Sequence, residues 1–128
     1  MPLMLAGTCV LLESSMSLQQ LRGSEFLTNL GDVPSVLSET PMPPSVLYID
    51  VGGESMGAPM IQNVRAGVAF FQVYGPTEVT IYATRQVMNR ADLPQCVATI
   101  GQPKPNVKAH VLAPEGDISS IGVWGELW

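Results

Sequence analysis

The chain has 128 residues and a formal net charge of −5, which results from six basic and eleven acidic side chains. The basic residues are scattered along the sequence, so the charge pattern argues against a nucleic-acid partner. Charged residues amount to only 13% of the chain, about half the share of an ordinary soluble protein, so we expect part of the apolar surface to contact a neighbour.

Membrane and secretion signals are both missing from the sequence. No uninterrupted apolar run approaches the ~20 residues that a membrane-spanning helix needs. The apolar opening lacks the basic n-region of a signal peptide, because the first basic residue is Arg22. Cys9 and Cys96 lie far apart and show no metal-ligand spacing, which favours reduced, buried thiols. We therefore expect a cytoplasmic protein without a membrane partner.

Short β-branched runs alternate with stretches of helical period along the first part of the chain, which is typical of a parallel α/β sheet. Pro34 suits the first turn of one of the helices. The expected fold is a partial Rossmann-like parallel sheet with flanking helices as crossovers. The predicted strands are residues 8–12, 25–28, 46–51 and 68–73, and the predicted helices are residues 17–22, 33–39 and 55–65.

The pattern changes near the following strand, which is predicted at residues 84–88. A proline-rich stretch follows, and two further strands are predicted at residues 107–112 and 123–128. Between them, Pro114-Glu115-Gly116-Asp117 is a turn signal, because the glycine can adopt a positive φ. The sequence therefore predicts the start of a small antiparallel β subdomain.

Residues 74–78, Tyr-Gly-Pro-Thr-Glu, directly follow the predicted strand that ends at Val73. Loops at the carboxyl ends of parallel strands line the ligand crevice of such sheets. A tyrosine ring can stack on a base, a threonine hydroxyl can bond a phosphate oxygen, and a carboxylate can hold Mg²⁺. The alternative is an ordinary Gly-Pro turn that opens a helix, with the tyrosine covering a core edge.

A second glycine-containing loop, Gly52-Gly53-Glu54, follows the preceding strand in the same way. Two adjacent glycines permit close backbone approach to a flat ligand. The alternative is a turn that caps the helix expected from Ser55. Two such loops on neighbouring strands favour a ligand site at one edge of the sheet.

The order of four motifs resembles that of the adenylation domains of nonribosomal peptide synthetases, which belong to the adenylate-forming, or AMP-binding, superfamily. The motifs are Gly52-Gly53-Glu54, Tyr74-Gly75-Pro76-Thr77-Glu78, Ile100-Gly101-Gln102-Pro103 and Gly122-Val123-Trp124-Gly125-Glu126-Leu127. The resemblance implies that residues 1–128 are an internal fragment of the large N-terminal part of such a domain. Within it, we assign residues 1–90 to the α/β portion and residues 91–128 to the β-rich portion.

By this resemblance, Tyr74 stacks against adenine, Thr77 bonds the α-phosphate region and Glu78 coordinates Mg²⁺, which makes Thr77 and Glu78 the catalytic candidates. The implied reaction is attack of a substrate carboxylate on the α-phosphorus of ATP, which gives an aminoacyl-adenylate and pyrophosphate. The family then transfers the acyl group to phosphopantetheine on a carrier domain. The implied partners are therefore an amino acid or other carboxylic acid and the peptidyl carrier and condensation domains of the parent protein.

The resemblance also implies contacts with the nucleotide base and with the substrate side chain. Gly53 presents backbone to the adenine, Gly75 shapes the loop, and Gln72 stands where the family has an asparagine that bonds the adenine amino group. The substrate side-chain pocket is predicted from mostly aliphatic residues, which suggests an apolar amino acid, with plain sheet core as the alternative. The predicted pocket residues are Ile49, Val51, Val73, Ile81 and Tyr82.

Several parts of the family's catalytic apparatus fall outside these 128 residues. By the resemblance, the phosphate loop precedes the chain, and the ribose-binding aspartate and the lysine-bearing C-terminal domain follow it. We therefore expect the fragment to be inactive alone. Two alternatives remain open, a fragment of an acyl-CoA or aryl-acid ligase and a non-enzymatic truncated remnant.

Overall fold

The computed structural model describes residues 25–88 and 99–128 of the chain. The strand expected at residues 8–12, the helix expected at residues 17–22 and both cysteines lie outside the described residues. The division of the chain at residue 90 stays a prediction. No helix in the described part is long and apolar enough to cross a membrane.

The described residues form a five-stranded mixed sheet with two short helices, and a separate two-stranded sheet. The strand order in the larger sheet is β1-β2-β3-β4-β5. The elements in chain order are β1 (Asn29–Asp32), α1 (Pro34–Glu39), β2 (Tyr48–Val51), α2 (Ala58–Asn63), β3 (Ala69–Tyr74), a single 3₁₀ turn (Thr77–Val79), β4 (Thr84–Met88), β5 (Gln102–Pro103), β6 (Val111–Leu112) and β7 (Glu126–Leu127).

The predicted parallel sheet is confirmed for β1, β2 and β3, which pair in parallel, whereas β4 and β5 pair antiparallel. The small antiparallel sheet is also confirmed, as β6 pairs with β7. The prediction of a strand at residues 25–28 is wrong, because strand pairing with β2 begins at Asn29. Thr28 instead accepts backbone hydrogen bonds from Leu47 and Tyr48, and Phe26 is exposed.

The two faces of the large sheet differ in what covers them. On the core face, Leu30, Ile49, Phe70 and Met88 are successive register partners across four strands, and each is buried. Both helices pack on this face, because their side chains belong to the same hydrophobic cluster. Other members of this cluster lie in the helices and in the loops. They include Leu37, Val46, Met56, Met60 and Val64.

The opposite face, called the second face below, carries the alternate residues of the same strands. Asp50 of β2 is in register with Phe71 of β3, and Val73 of β3 is in register with Arg85 of β4. Side chains alternate between faces along a strand, so these residues lie on the side away from α1 and α2. Tyr48 on this face is 47% exposed. The described residues therefore place no helix over the second face.

Asn63 at the end of α2 ties the two helices together. Its side-chain amide donates hydrogen bonds of 2.9 Å to the backbone carbonyls of Leu37 and Thr40, at the end of α1. The last carbonyls of a helix have no partner within the helix, so the amide satisfies groups that would otherwise be left unpaired. Asn63 therefore acts as the C-terminal cap of the neighbouring helix.

We expect Asn63→Asp to lower the free energy of unfolding by about 2 kcal/mol, because a carboxylate cannot donate to those carbonyls. The measurement is urea denaturation followed by circular dichroism. Asn29→Asp is the matched control, because the Asn29 side chain is exposed and accepts a hydrogen bond through an oxygen that aspartate retains. Equal stability of the two variants would contradict the capping role.

Candidate functional site

The loops that follow β2 and β3 meet at the carboxyl edge of the parallel strands. A Cβ added to Gly52 would lie 2.8 Å from Cγ2 of Val73 and would overlap the Val73 carbonyl. Only glycine permits this approach of the two backbones. Gly53 has a φ of 85°, a conformation that other residues rarely adopt, and it lies exposed at the surface. The two loops predicted from the sequence are therefore neighbours in space.

The loop after β3 is held by its own contacts with the segment before β4. A Cβ at Gly75 would lie 2.8 Å from the carbonyl oxygen of Ile81 and would overlap Cα of Tyr82. The amide of Ala83 donates a 2.9 Å hydrogen bond to the carbonyl of Tyr74. The role of Gly75 in this structure is thus to let two backbone segments pack face to face.

Thr77 and Glu78 lie on the single 3₁₀ turn, and both are exposed. The turn ends at Thr80, which has a φ of 70° and donates a backbone hydrogen bond to Thr77. The Tyr74 side chain is 40% exposed at the end of β3. The hydroxyl, the carboxylate and the aromatic ring are therefore all accessible at one edge of the sheet.

Gln72 lies two residues before Tyr74 on the same strand, so both side chains belong to the core face. Its Oε1 atom is buried and has no hydrogen-bond partner among the described residues. A buried polar atom without a partner costs free energy and needs an explanation. A ligand amino group beside Tyr74 would supply the missing donor, which fits the predicted contact with adenine.

Glu54 has a contact that the sequence reasoning missed. Its carboxylate accepts hydrogen bonds from the Ser35 backbone amide at 3.1 Å and from the Ser35 hydroxyl at 3.0 Å. Ser35 occupies the first turn of α1, where the backbone amides lack helical partners and negative charge is favoured. Glu54 therefore anchors the glycine loop to α1. The helix-opening Pro34-Ser35 pair was the signal for such an acceptor.

The structure separates the residues predicted for the substrate pocket. Ile49 and Val51 are almost completely buried in the core cluster beneath the helices. Val73 is buried on the second face, Ile81 is 74% exposed, and Tyr82 is partly buried. The register places Ile49 and Val51 on one face of the sheet and Val73 on the other. The assignment of these five residues to a substrate pocket stays a prediction.

A cluster of charged and aromatic residues occupies the second face at the same carboxyl edge. Nη2 of Arg85 lies 3.5 Å from Oδ1 of Asp50, and the guanidinium carbon lies 3.4 Å from the centroid of the Phe71 ring. Lys104 lies over the Tyr82 ring at 4.6 Å. Burial raises the pKa of Tyr82 above its ordinary value, Asp50 raises it further, and Arg85 opposes the shift. The sequence analysis assigned a role to Tyr82 and to no other residue of this cluster.

Within the described residues, no group of three or more His, Cys, Asp or Glu side chains could hold a metal ion. Glu78 is exposed, so its carboxylate is accessible. Mg²⁺ in nucleotide sites is commonly held by one or two carboxylates together with the phosphates and water. The Glu78 carboxylate therefore fits the role of one protein ligand to a magnesium ion that binds together with a nucleotide.

A groove of about 560 Å³ lies in the C-terminal region, between the 113–116 turn and β7. Trp124, which is 93% exposed, and Trp128 contribute to its walls. None of the predicted site residues lines this groove, so its volume does not mark the predicted nucleotide site.

A family model described as "AMP-binding enzyme" matches residues 4–128. The chain belongs to this family of AMP-binding enzymes. Its curated relatives include the nonribosomal peptide synthetase sidN of Epichloe festucae (strain Fl1), 38% identical over 110 residues and 79% of this chain. The nonribosomal peptide synthetase agiA of Aspergillus flavus is 33% identical over 86 residues and 66% of this chain. The chain spans about 2% of the length of the first relative and about 1% of the second.

Solved structures of AMP-binding enzymes share the fold. PA1221, described as an NRPS protein containing adenylation and PCP domains, superposes with a TM-score of 0.72 at 21% identity, over 86% of this chain and 24% of that protein. The O-succinylbenzoate coenzyme A synthetase MenE of Bacillus subtilis, solved in complex with ATP and magnesium ion, has a TM-score of 0.63 at 22% identity, over 79% of this chain and 22% of that one. The family match and the curated relatives confirm the resemblance to adenylation domains, and the chain is a fragment of an adenylate-forming domain.

Proposed function

We propose that this AMP-binding fragment forms part of an amino-acid-activating adenylation domain and supplies its adenine, α-phosphate and magnesium contacts. The observation that carries the proposal is the Tyr74–Glu78 loop at the carboxyl edge of the parallel strands, beside the unpaired Oε1 atom of Gln72. A magnesium nucleotide needs four protein groups: an aromatic ring, an amide acceptor, a hydroxyl and a carboxylate. All four are carried by β3 and the loop after it.

Each residue has one role in the proposed site. The Tyr74 ring stacks on the adenine, and Oε1 of Gln72 accepts a hydrogen bond from its amino group. The Thr77 hydroxyl donates to an oxygen of the α-phosphate, and Glu78 is a ligand of Mg²⁺. Gly53 and Gly75, which lack side chains, let the backbone of the two loops approach the nucleotide closely.

The reaction we propose for the complete enzyme joins the substrate carboxylate to the α-phosphorus of ATP. A carboxylate oxygen forms a bond with that phosphorus, the bond to the bridging oxygen breaks, and pyrophosphate leaves with the electron pair. Bound Mg²⁺ neutralises the charge of the phosphates. The residues of this chain contribute by positioning the nucleotide and holding the metal, which is the usual source of catalysis in phosphorus-centred displacement.

The amino-acid branch of the family is favoured over an acyl-CoA or aryl-acid ligase. The curated relatives that the chain matches at 33–38% identity are nonribosomal peptide synthetases. By this proposal, the activated acyl group passes to phosphopantetheine on a peptidyl carrier domain of the parent protein, next to its condensation domain.

The adenine contact can be tested by comparing ATP with inosine triphosphate, which carries a carbonyl oxygen in place of the amino group. We expect the chain to bind ATP about tenfold more tightly, the effect of roughly one hydrogen bond. Gln72→Leu should abolish this preference while retaining binding. The measurement is calorimetric titration of each nucleotide in the presence of Mg²⁺.

Gln86→Leu is the matched control for this test. Gln86 is the register partner of Gln72 on β4 and lies on the same face, but its side chain donates a hydrogen bond to the carbonyl of Val87. The control should keep the preference for ATP. An unchanged preference in Gln72→Leu would contradict the assignment of the adenine contact.

A further inference from the structure

We infer that Glu54 is a positioning residue for nucleotide binding, because it holds the glycine loop, residues 52–54, against the first turn of α1. The inference rests on the proposed function, which assigns the backbone of Gly53 to the adenine. Glu54 acts on the nucleotide through that backbone and is not itself a group that binds the ligand.

The first turn of α1 has no acceptor of its own for the first amide of the helix. Val33 at the N-cap position has an apolar side chain and makes no side-chain capping bond. Pro34 follows at the first helical position and has no N–H, so Ser35 carries the first amide of the helix. In most helices a polar N-cap side chain accepts from an amide at this position. In α1 the acceptor has to come from outside the helix.

Glu54 supplies that acceptor from a position 19 residues further along the chain. Its Oε2 atom accepts from the Ser35 backbone amide at 3.1 Å, and its Oε1 atom accepts from the Ser35 hydroxyl at 3.0 Å. Hydrogen bonds to a charged acceptor are stronger than those between neutral groups, and two of them to one partner also fix its orientation. The Glu54 side chain is therefore held by both of its oxygens.

The glycine loop is fixed on two sides by residues of this chain. A Cβ added to Gly53 would lie 3.3 Å from Cγ1 of Val33, so the loop backbone lies close to the start of α1. A Cβ at Gly52 would overlap the carbonyl of Val73, the residue before Tyr74. The loop therefore connects the start of α1 to the strand end that carries the proposed stacking ring.

Two adjacent glycines need such a restraint because glycine has more backbone freedom than any other residue. Gly53 has a φ of 85°, and an unrestrained glycine adopts negative φ about as readily. A loop that samples several conformations binds with an affinity reduced by the fraction of time that it holds the fitting one. Glu54 directly follows the two glycines, so its contact with α1 limits this sampling before the nucleotide binds.

The test compares the ATP affinity of the unmodified chain with that of Glu54→Ala, by calorimetric titration in the presence of Mg²⁺. We expect the variant to bind about fivefold more weakly, because the loop then holds the binding conformation for a smaller fraction of the time. Circular dichroism on the same samples establishes that both proteins are folded. A folded Glu54→Ala variant with unchanged affinity would overturn the inference, because a cap that only stabilises α1 lowers the stability and not the affinity.

Glu54→Gln separates hydrogen bonding from charge. The new carbonyl oxygen can accept from the Ser35 amide and the new NH₂ group can donate to the hydroxyl, so we expect an affinity within about twofold of the unmodified chain. Glu39→Ala is the charge-matched control, because Glu39 is exposed at the last position of α1, and it should bind ATP like the unmodified chain. A loss in either variant as large as that in Glu54→Ala would assign the effect to charge and overturn the inference.

Ser35→Ala tests the same contact from the side of the helix. Alanine retains the backbone amide and removes the hydroxyl, so we expect about twofold weaker binding of ATP. In the Glu54→Ala background the same substitution should have no further effect on affinity, because the hydroxyl then has no carboxylate to bond. Independent effects of the two substitutions would mean that Glu54 does not act through Ser35, which would overturn the inference.

Nucleotide binding by the unmodified chain separates the two levels of the proposal. If the unmodified chain and Glu54→Ala bind ATP equally, the inference on Glu54 is wrong and the proposed nucleotide site stands. If the unmodified chain is folded and does not bind ATP, the proposed function fails and the inference fails with it.

Discussion

Gly75→Ala is expected to lower the free energy of unfolding by about 3 kcal/mol or more, at the upper end of what overpacking costs. The new Cβ would overlap Cα of Tyr82 and would lie 2.8 Å from the carbonyl oxygen of Ile81. These are backbone atoms of a segment tied to Tyr74 by a hydrogen bond, so no flexible side chain can move aside. The measurement is urea denaturation monitored by circular dichroism, with nucleotide binding measured on the same sample.

Gly31→Ala is the control for this substitution. A Cβ at Gly31 would meet its nearest neighbour, the carbonyl oxygen of Asp50, at an ordinary contact distance of 3.5 Å. The control should therefore change stability by no more than about 0.5 kcal/mol. If Gly75→Ala had the same free energy of unfolding as this control, that result would contradict the close packing of the loop against the segment before β4.

Glu78→Gln is expected to weaken ATP binding about tenfold or more in the presence of Mg²⁺, which corresponds to about 1.4 kcal/mol. The neutral amide is nearly isosteric with the carboxylate but is a much poorer ligand for a hard cation. In excess EDTA, the variant and the unmodified chain should bind ATP equally, because the metal contact is then absent from both. The measurement is calorimetric titration under the two conditions.

The exposed Glu115 in the C-terminal turn provides the charge-matched control. Glu115→Gln removes the same net charge from the chain at a position outside the proposed site, so it should bind ATP like the unmodified chain with and without metal. A loss of affinity in Glu78→Gln that is equally large in EDTA would assign Glu78 a structural role and contradict its role as a magnesium ligand.

The strands at the centre of the sheet could be predicted from composition. Residues 46–51 and 68–73 are short runs rich in β-branched and aromatic residues, and they correspond to β2 and β3 within one or two residues. The strand predicted at residues 84–88 has the bounds of β4. At residues 25–28 the same reasoning failed, because strand pairing begins at the less apolar segment Asn29–Asp32.

Strand direction and register could not be obtained from the same patterns. Side-chain alternation is identical in parallel and antiparallel strands, so it says nothing about the direction of β4. The short connection of residues 75–83 was the available signal, since a parallel crossover needs a dozen or more residues. This length favours the antiparallel pairing that the structure shows.

The nucleotide loop and the substrate pocket differed in how far they could be predicted. Tyr74, Thr77 and Glu78 are close together in one motif, so one strand end places all three at the same edge. The pocket residues come from different strands, and whether Ile49 and Val73 share a face depends on the register between β2 and β3. A shift of one residue exchanges the two faces, so the face that each of these side chains occupies could not be obtained from the sequence alone.

The most direct test of the proposed nucleotide site is calorimetric titration of the chain with ATP and Mg²⁺, beside Tyr74→Ala. We predict saturable binding of one nucleotide per chain, and a loss of at least tenfold in affinity when the stacking ring is removed. Circular dichroism on the same samples establishes that both proteins are folded. A folded chain that shows no saturable binding, or that binds equally well without the ring, would contradict the account.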